Sequence, residues 1–284
     1  MVAGPNGSGK STLIAALRAD PRFDLPALYI NADDLRRERG IGDPRQAQQI
    51  ANDLRAQALR ERHDVMYETV MSHPSKIAEL QQARAGGYDI TVVLVATNDP
   101  AVNVQRVAAR VAAGGHDVPE DRTRERYART LALAPIAIGY AHQAAVFDNT
   151  RQGDTGGGLC EQAALVGERL VLTGDTAAPW VQRLVEQVNA RASELRALAT
   201  AVENNGAKPQ LACLDDSHNS GPIMRVDQHY VFQYHEAARA GIVHDRVLLG
   251  AIADHLVARE RITIDYKEGI TTVHTLRRHR KRDE

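Results

Sequence analysis

Gly4-Pro5-Asn6-Gly7-Ser8-Gly9-Lys10-Ser11-Thr12 reads as a glycine, four residues, then Gly-Lys-Ser, the P-loop pattern, and it opens straight into a helical run at 11–18. The chemistry needs those residue types in that order. Glycines let successive backbone N–H groups curl round the α- and β-phosphates, and the helix N-terminus adds its positive dipole. Lys10 reaches the β/γ oxygens, and the Ser11 hydroxyl is placed to ligate Mg²⁺. Residues Gly4, Pro5, Asn6, Gly7, Ser8, Gly9, Lys10, Ser11 and Thr12 are therefore expected to hold ATP. Such a loop normally follows a buried strand of about 4 to 8 apolar residues. Only Met1-Val2-Ala3 precede Gly4, so the reading frame is expected to start upstream; a lost first strand would instead lower nucleotide affinity and stability.

Working outward, strands and helices alternate. Residues 27–32 are a short apolar run ending in Asn31, Asp33 and Asp34, as for a buried parallel strand whose carboxyl end meets the loop. Asp43-Pro44 opens a helix to about 62, with Ala47, Ile50, Ala51, Leu54, Ala58 and Leu59 on one stripe. A strand at 64–69 carries Glu68, a helix starts at His73-Pro74 and stops at Gly86-Gly87, and 90–96 is the most strand-like stretch. Asp99-Pro100 caps a helix over 102–113, which Gly114-Gly115 ends. The pattern predicts an α/β fold, a doubly wound parallel sheet of P-loop NTPase type, with Gly4, Asp33 and Glu68 at the carboxyl ends of strands where ligands bind.

Asp33 is the candidate base for an attacking hydroxyl, because phosphoryl transfer is mostly positioning and charge neutralisation. Its alternative is an N-cap of the turn at 34–39, and Asp34 could exchange roles with it. Glu68 either faces Mg²⁺ through water, binds the acceptor, or is a plain strand-end charge. Arg106 and Arg110 lie one helical turn apart, and Arg122, Arg126 and Arg129 form a stripe on the next helix with Arg124 off to one side. Like charges at this spacing repel by about 0.2–0.5 kcal/mol per pair, and an anionic ligand turns that into attraction. The alternative is a solvated face neutralised by Glu120, Asp121 and Glu125. His116 reads as a turn residue.

Composition narrows the function classes. The 284 residues carry 35 Lys+Arg against 36 Asp+Glu, net charge −1, with 43% hydrophobic positions, so disorder and a surface built throughout for nucleic acid are excluded. Cys160 and Cys213 lack metal-ligand spacing and read as free thiols. No apolar run reaches the ~18 residues of a membrane span and no signal peptide is visible, so a cytoplasmic protein is expected.

Past the glycine-rich 150–158 segment, a hairpin is expected over 164–173 and a helix over 180–202, with Trp180, Leu184, Val188, Leu195 and Leu198 as a packing stripe. Asn204-Asn205-Gly206 marks a linker. The expected organisation is a P-loop domain at 1–203, with its core at 1–150, a linker at 204–209, a small β-rich domain at 210–275 with one helix near 246–257, and a basic tail at 276–284. His229, His235 and His244 lack zinc-site spacing. The cluster Arg277-Arg278-His279-Arg280-Lys281-Arg282 could touch nucleic acid or remain solvated.

In order, GPNGSGKST, INADDLRRE, YETVMSHPSK, RVAARVAAGGHDVPEDRTRERYARTL and VFDNT resemble the zeta-toxin family of P-loop kinases, over about residues 1–150. That resemblance implies an ATP- and Mg²⁺-dependent kinase acting on the sugar 3′-hydroxyl of UDP-N-acetylglucosamine, and an antitoxin protein as partner. It further implies ATP and Mg²⁺ at Lys10 and Ser11, Asp33 as catalytic base, Glu68 holding the acceptor, and Arg110 with Arg124 or Arg126 clamping phosphate. The segment containing GPIMRVDQHYVFQ, GIVHDR and ITIDYKEG resembles the KfrB-type domain of plasmid-encoded proteins. Two other readings remain: a kinase of another hydroxylated metabolite or antibiotic, and a nucleotide-dependent, plasmid-associated regulator binding DNA through its C-terminal domain and tail.

Overall fold

The computed structural model describes residues 1–21, 23–115, 117–150, 159–204, 208–235 and 237–275. His116, the 151–158 segment, residues 205–207 of the expected linker and the basic cluster at 277–282 lie outside the described residues. Two compact units form: Met1–Ser72 with Ala83–Glu186, and His73–Gln82 with the described residues from Gln187 onward.

In chain order the first elements are β1 (Val2–Ala3), α1 (Lys10–Ala19), β2 (Leu28–Ile30), α2 (Ala32–Glu38), α3 (Pro44–Arg60), β3 (Val65–Thr69), α4 (Ser75–Ala85), β4 (Thr91–Ala96), α5 (Pro100–Ala112) and α6 (Glu120–Tyr140). Then follow β5 (Gln143–Asp148), β6 (Cys160–Val166), β7 (Arg169–Leu172) and α7 (Pro179–Asn204). They build a seven-stranded sheet of order β2-β3-β1-β4-β5-β6-β7. Every pair from β2 to β5 is parallel, and the β6–β7 hairpin closes one side antiparallel. The chain crosses first to one side of β1 and then to the other, so β1 is the topological switch point, where α/β sheets bind ligands beyond the strand ends.

Strand β1 is paired on both sides. Val2 lies opposite Glu68 and Val93, and Ala3 opposite Thr69 and Leu94. Val2 packs with Leu13, Ile14, Met66 and Val95, while Ile30, Ala51 and Tyr67 form a second cluster. Trp180 and Leu184 are buried as their spacing predicts. The helical turn for which Asp33 is the alternative cap begins at Ala32: Asn31 is the N-cap, its side chain accepting from the amides of Asp33 and Asp34. A carboxamide one residue before the first helical turn reaches both N–H groups, which leaves Asp33 free to point elsewhere.

The second unit is the smaller β-rich body the sequence predicts. It adds β8 (Pro209–Leu211), β9 (Ser217–Val226), β10 (Tyr230–His235), β11 (Ala240–Asp245), α8 (Arg246–Leu249), β12 (Arg261–Lys267) and β13 (Ile270–Thr275), in a sheet of order β13-β12-β9-β10-β11-β8. The helix expected to about 257 ends at Leu249. Gly250 takes φ 63° and ψ −150°, a positive-φ conformation that only glycine adopts easily and that stops an α-helix, and a 3₁₀ segment Gly250–His255 replaces the rest. Strand β9 extends six residues further N-terminal than its apolar core implies, because Asn219 and Gly221 occupy its buried positions and hide the alternation. At the centre of the sheet His244 is fully buried between the Tyr266 hydroxyl, 2.9 Å from Nδ1, and Gln233 Oε1, 3.0 Å from Nε2.

Candidate functional site

The P-loop turns on glycines. Gly7 and Gly9 take φ 73° and 96°, and a Cβ at Gly7 would stand 2.7 Å from the Asn103 carbonyl oxygen. Only glycine fits that backbone at that approach. Two side chains and one backbone bond brace the turn. The Asn103 amide donates to Asn6 O at 2.7 Å, the Asn149 amide donates to Ser8 O at 2.8 Å, and the Gly4 N–H donates to Thr69 O at 3.2 Å. Asn103 is itself held by Thr97, whose hydroxyl donates to its carboxamide oxygen.

Lys10 is 6% exposed and donates to the carbonyls of Gly4 at 2.9 Å and Pro5 at 3.0 Å. Burial pulls its pKa down, while the charges of Glu68 and Asp33 pull it up and that of Arg110 down again. The charges of Glu68, Asp33 and Arg110 thus all act on one ammonium group. The Glu68 carboxylate lies 3.7 Å from Lys10 and accepts from the Ser11 hydroxyl at 3.0 Å. It also accepts from Asn31 Nδ2 at 3.0 Å and the Tyr29 hydroxyl at 3.3 Å. Burial pushes the Tyr29 phenol up to about 12, so it stays a donor. Asn31 thus joins the cap of α2, which carries Asp33, to the carboxylate beside Ser11.

These groups open on one cavity of about 1030 Å³, within the usual range of ligand pockets or just above it. Asn6, Gly7, Gly9, Lys10, Ser11 and Thr12 line it, with Asp33, Glu68, Arg110 and Arg126. Gly4, Pro5 and Ser8 sit behind that lining. Asp33 borders the cavity, whereas Asp34 pairs with Arg37 and does not. Of the two arginines of α6 left open by the resemblance, Arg126 reaches the cavity, its guanidinium donating to Asn6 Oδ1 at 3.4 Å. Arg124 pairs with Glu120 at 2.8 Å on the solvent side, and Arg129 pairs with Glu125. The buried face of α6 decides this: Tyr127 donates to Thr97 O at 2.6 Å and Thr130 to Val70 O at 2.7 Å, which turns Arg126 inward and Arg124 some 200° away.

Several cavity residues carry no recognisable motif. Arg36, Arg45, Gln48 and Asn52 line the side next to Asp33, and Arg106 the side next to Asn149. Apolar stripes flag the buried face of a helix, not which polar residue of the other face borders a cavity. Among the described residues no group of three or more His, Cys, Asp or Glu is arranged to hold a metal. The Ser11 hydroxyl with the Glu68 carboxylate nonetheless suits Mg²⁺, which takes one or two protein oxygens and completes its shell with water and phosphate. No helix among the described residues is long and apolar enough to cross a membrane.

An uncharacterised protein of Haemophilus influenzae is 29% identical over 128 residues, 44% of this chain and 88% of that protein. Among solved structures, one chain of the crystal structure of AvrRxo1-ORF1:-ORF2 with ATP aligns with a TM-score of 0.48 and 13% identity over 65% of this chain and 62% of that one. A chain of the PezAT chromosomal toxin-antitoxin system of Streptococcus pneumoniae aligns with a TM-score of 0.37 and 15% identity over 52% and 65%. This chain thus spans a little under two thirds of each of these structures. The part of the chain that holds the P-loop and strands β1 to β4 is similar to a known family: residues 1–134 match the AAA_33 model, an AAA domain.

Proposed function

We propose that the protein is an ATP-dependent phosphotransferase that moves the γ-phosphoryl group to a hydroxyl of a small acceptor. The observation that carries this reading is the position of Asp33, on the rim of a cavity shared with the P-loop and within the electrostatic reach of Lys10. Next to it Arg36, Arg45, Gln48 and Asn52 line a polar compartment that ATP hydrolysis alone would not need. Bound Mg²⁺-ATP supplies the phosphoryl group and a divalent charge. The chain's own residues do the rest: the P-loop amides and Lys10 hold phosphate oxygens, and Asp33 accepts the hydroxyl proton. Arg110 and Arg126 neutralise charge as it develops. Glu68 orients the Ser11 hydroxyl and would hold a water of a Mg²⁺ ion bound there, a reading its hydrogen bond to Ser11 favours over a role in gripping the acceptor.

The acceptor in this reading is a nucleotide sugar of the UDP-N-acetylglucosamine kind, as the zeta-toxin resemblance implies, and an antitoxin partner follows from the same source. The chemistry is assigned to residues 1–203, leaving the linker at 204–209 and the β-rich domain at 210–275 outside it. Incubation with Mg²⁺-ATP and a panel of UDP-sugars and unrelated hydroxyl compounds, read by mass spectrometry, tests this. Asp33→Asn is expected to lower transfer by about 10²- to 10⁴-fold with ATP affinity nearly unchanged. Equal transfer by the variant would remove Asp33 from the mechanism, and phosphorylation of another acceptor alone would replace the nucleotide sugar.

A further inference from the structure

Arg106 on α5 is the cavity residue whose chemistry is left unspent. Its Nη1 is shut off from solvent and has no hydrogen-bond partner among the described residues. Burial pulls its pKa down, opposed by the charge of Asp148. Asp148 supplies a field, but its carboxylate is engaged by Trp180 and Thr150 and makes no hydrogen bond to Arg106. Its Oδ1 already accepts from Trp180 Nε1 at 2.7 Å and the Thr150 hydroxyl at 2.6 Å, and its Oδ2 from the Thr150 amide at 3.2 Å. A guanidinium that lines the cavity with one amino group buried and unpaired is built to receive an anion through its remaining, cavity-side N–H groups.

Its place along the cavity says which part of the ligand it meets. Asn103, one turn earlier on α5, holds Asn6 O, and Asn149, next to Asp148, holds Ser8 O. Arg106 therefore stands over the Asn6–Ser8 bend. The charges acting most on Lys10 are those of Glu68, Asp33 and Arg110, one turn further along. Resting on the phosphotransferase reading above, we propose that Arg106 is a third arginine of this site. It binds the phosphates that are not transferred, in the ground state, while Arg110 and Arg126 act on the transferring group.

Such a contact is made equally with ATP and ADP, so it enters affinity and not turnover. In the full-length chain, Arg106→Gln is expected to raise the Kd of Mg²⁺-ATP and of Mg²⁺-ADP by the same factor, about 10- to 100-fold by calorimetry. The value of kcat at saturating ATP should stay within about threefold. Unchanged affinity for both nucleotides in a variant with wild-type thermal unfolding overturns the proposal. So does a loss confined to ATP, or a fall in kcat with both Kd values intact. If Arg106→Gln does not fold, Arg106→Lys carries the test: one ammonium cannot replace the fork, and a rise of about 3- to 10-fold for both nucleotides is expected. Wild-type affinity there overturns it. Wild-type protein that binds neither nucleotide would overturn the phosphotransferase reading itself, whereas normal binding by Arg106→Gln removes only Arg106.

Discussion

Glycine, lysine and asparagine do different work within a few ångströms of one another. Gly9 holds φ 96°, and the space its Cβ would need is filled by the Asn149 carboxamide that braces Ser8. Gly9→Ala therefore meets both backbone strain and a steric clash, and about 1–3 kcal/mol of stability is expected to go with it. Nucleotide binding should weaken by more than about tenfold, because the amides of the loop lose their common aim. Calorimetry with ATP and a thermal melt check the two halves separately. The single tryptophan, Trp180, donates to Asp148 beside Asn149, so its fluorescence reports on the same corner.

Among the elements, α2 is the one whose start matters most for chemistry. Asn31 accepts from the amides of Asp33 at 2.8 Å and Asp34 at 3.4 Å through Oδ1, while its Nδ2 donates to Glu68 and the Tyr29 hydroxyl. One side chain thus sets both the helix that carries Asp33 and the carboxylate beside Ser11. Asn31→Ala is expected to cost about 1 kcal/mol in denaturant unfolding through the lost cap. It should also lower transfer more than Asp34→Ala does, since Asp34 is engaged with Arg37 outside the cavity. Equal activity of the two variants would separate the cap from the site. In the run that precedes this helix, strand character is plain, but a carboxamide and two carboxylates stand within four residues, and each has the side-chain oxygen a cap needs.

Across the whole molecule the two units answer to pH differently, because among the described residues it is the second that buries a histidine completely. Burial pulls His244 down to about 3 from its usual 6.5. With Gln233 Nε2 donating to the carbonyls of Gly221 and Ile262, Gln233 Oε1 must accept, so His244 carries its proton on Nε2 and Nδ1 accepts from Tyr266. The unfolded chain takes up a proton as the pH falls below about 6.5 and the folded unit does not. Stability is thus complete above that value and declines as pH falls towards 3, by about 2 kcal/mol between pH 7 and pH 5. Thermal melts across this range should show a flatter dependence for His244→Gln than for the wild type; parallel curves would exclude the histidine.

The sequence by itself determined the P-loop, the alternation of strands and helices, the parallel sheet and the β-rich second unit. Each rests on local chemistry: glycines for a phosphate-sized turn, apolar periodicity, and caps such as Asp43 and Asp99 that stand where their helices begin. Tertiary structure alone decided which neighbours of those motifs meet. Asn31 and not Asp33 caps α2, Arg126 and not Arg124 borders the cavity, and Asn103, Asn149 and Arg106 converge on a loop about 100 to 140 residues away in sequence. The reason is geometric. A helix carries a new direction every 100°, and which direction faces a site is set by the buried residues of that helix and by strands that pair across the chain, such as β1 between β3 and β4.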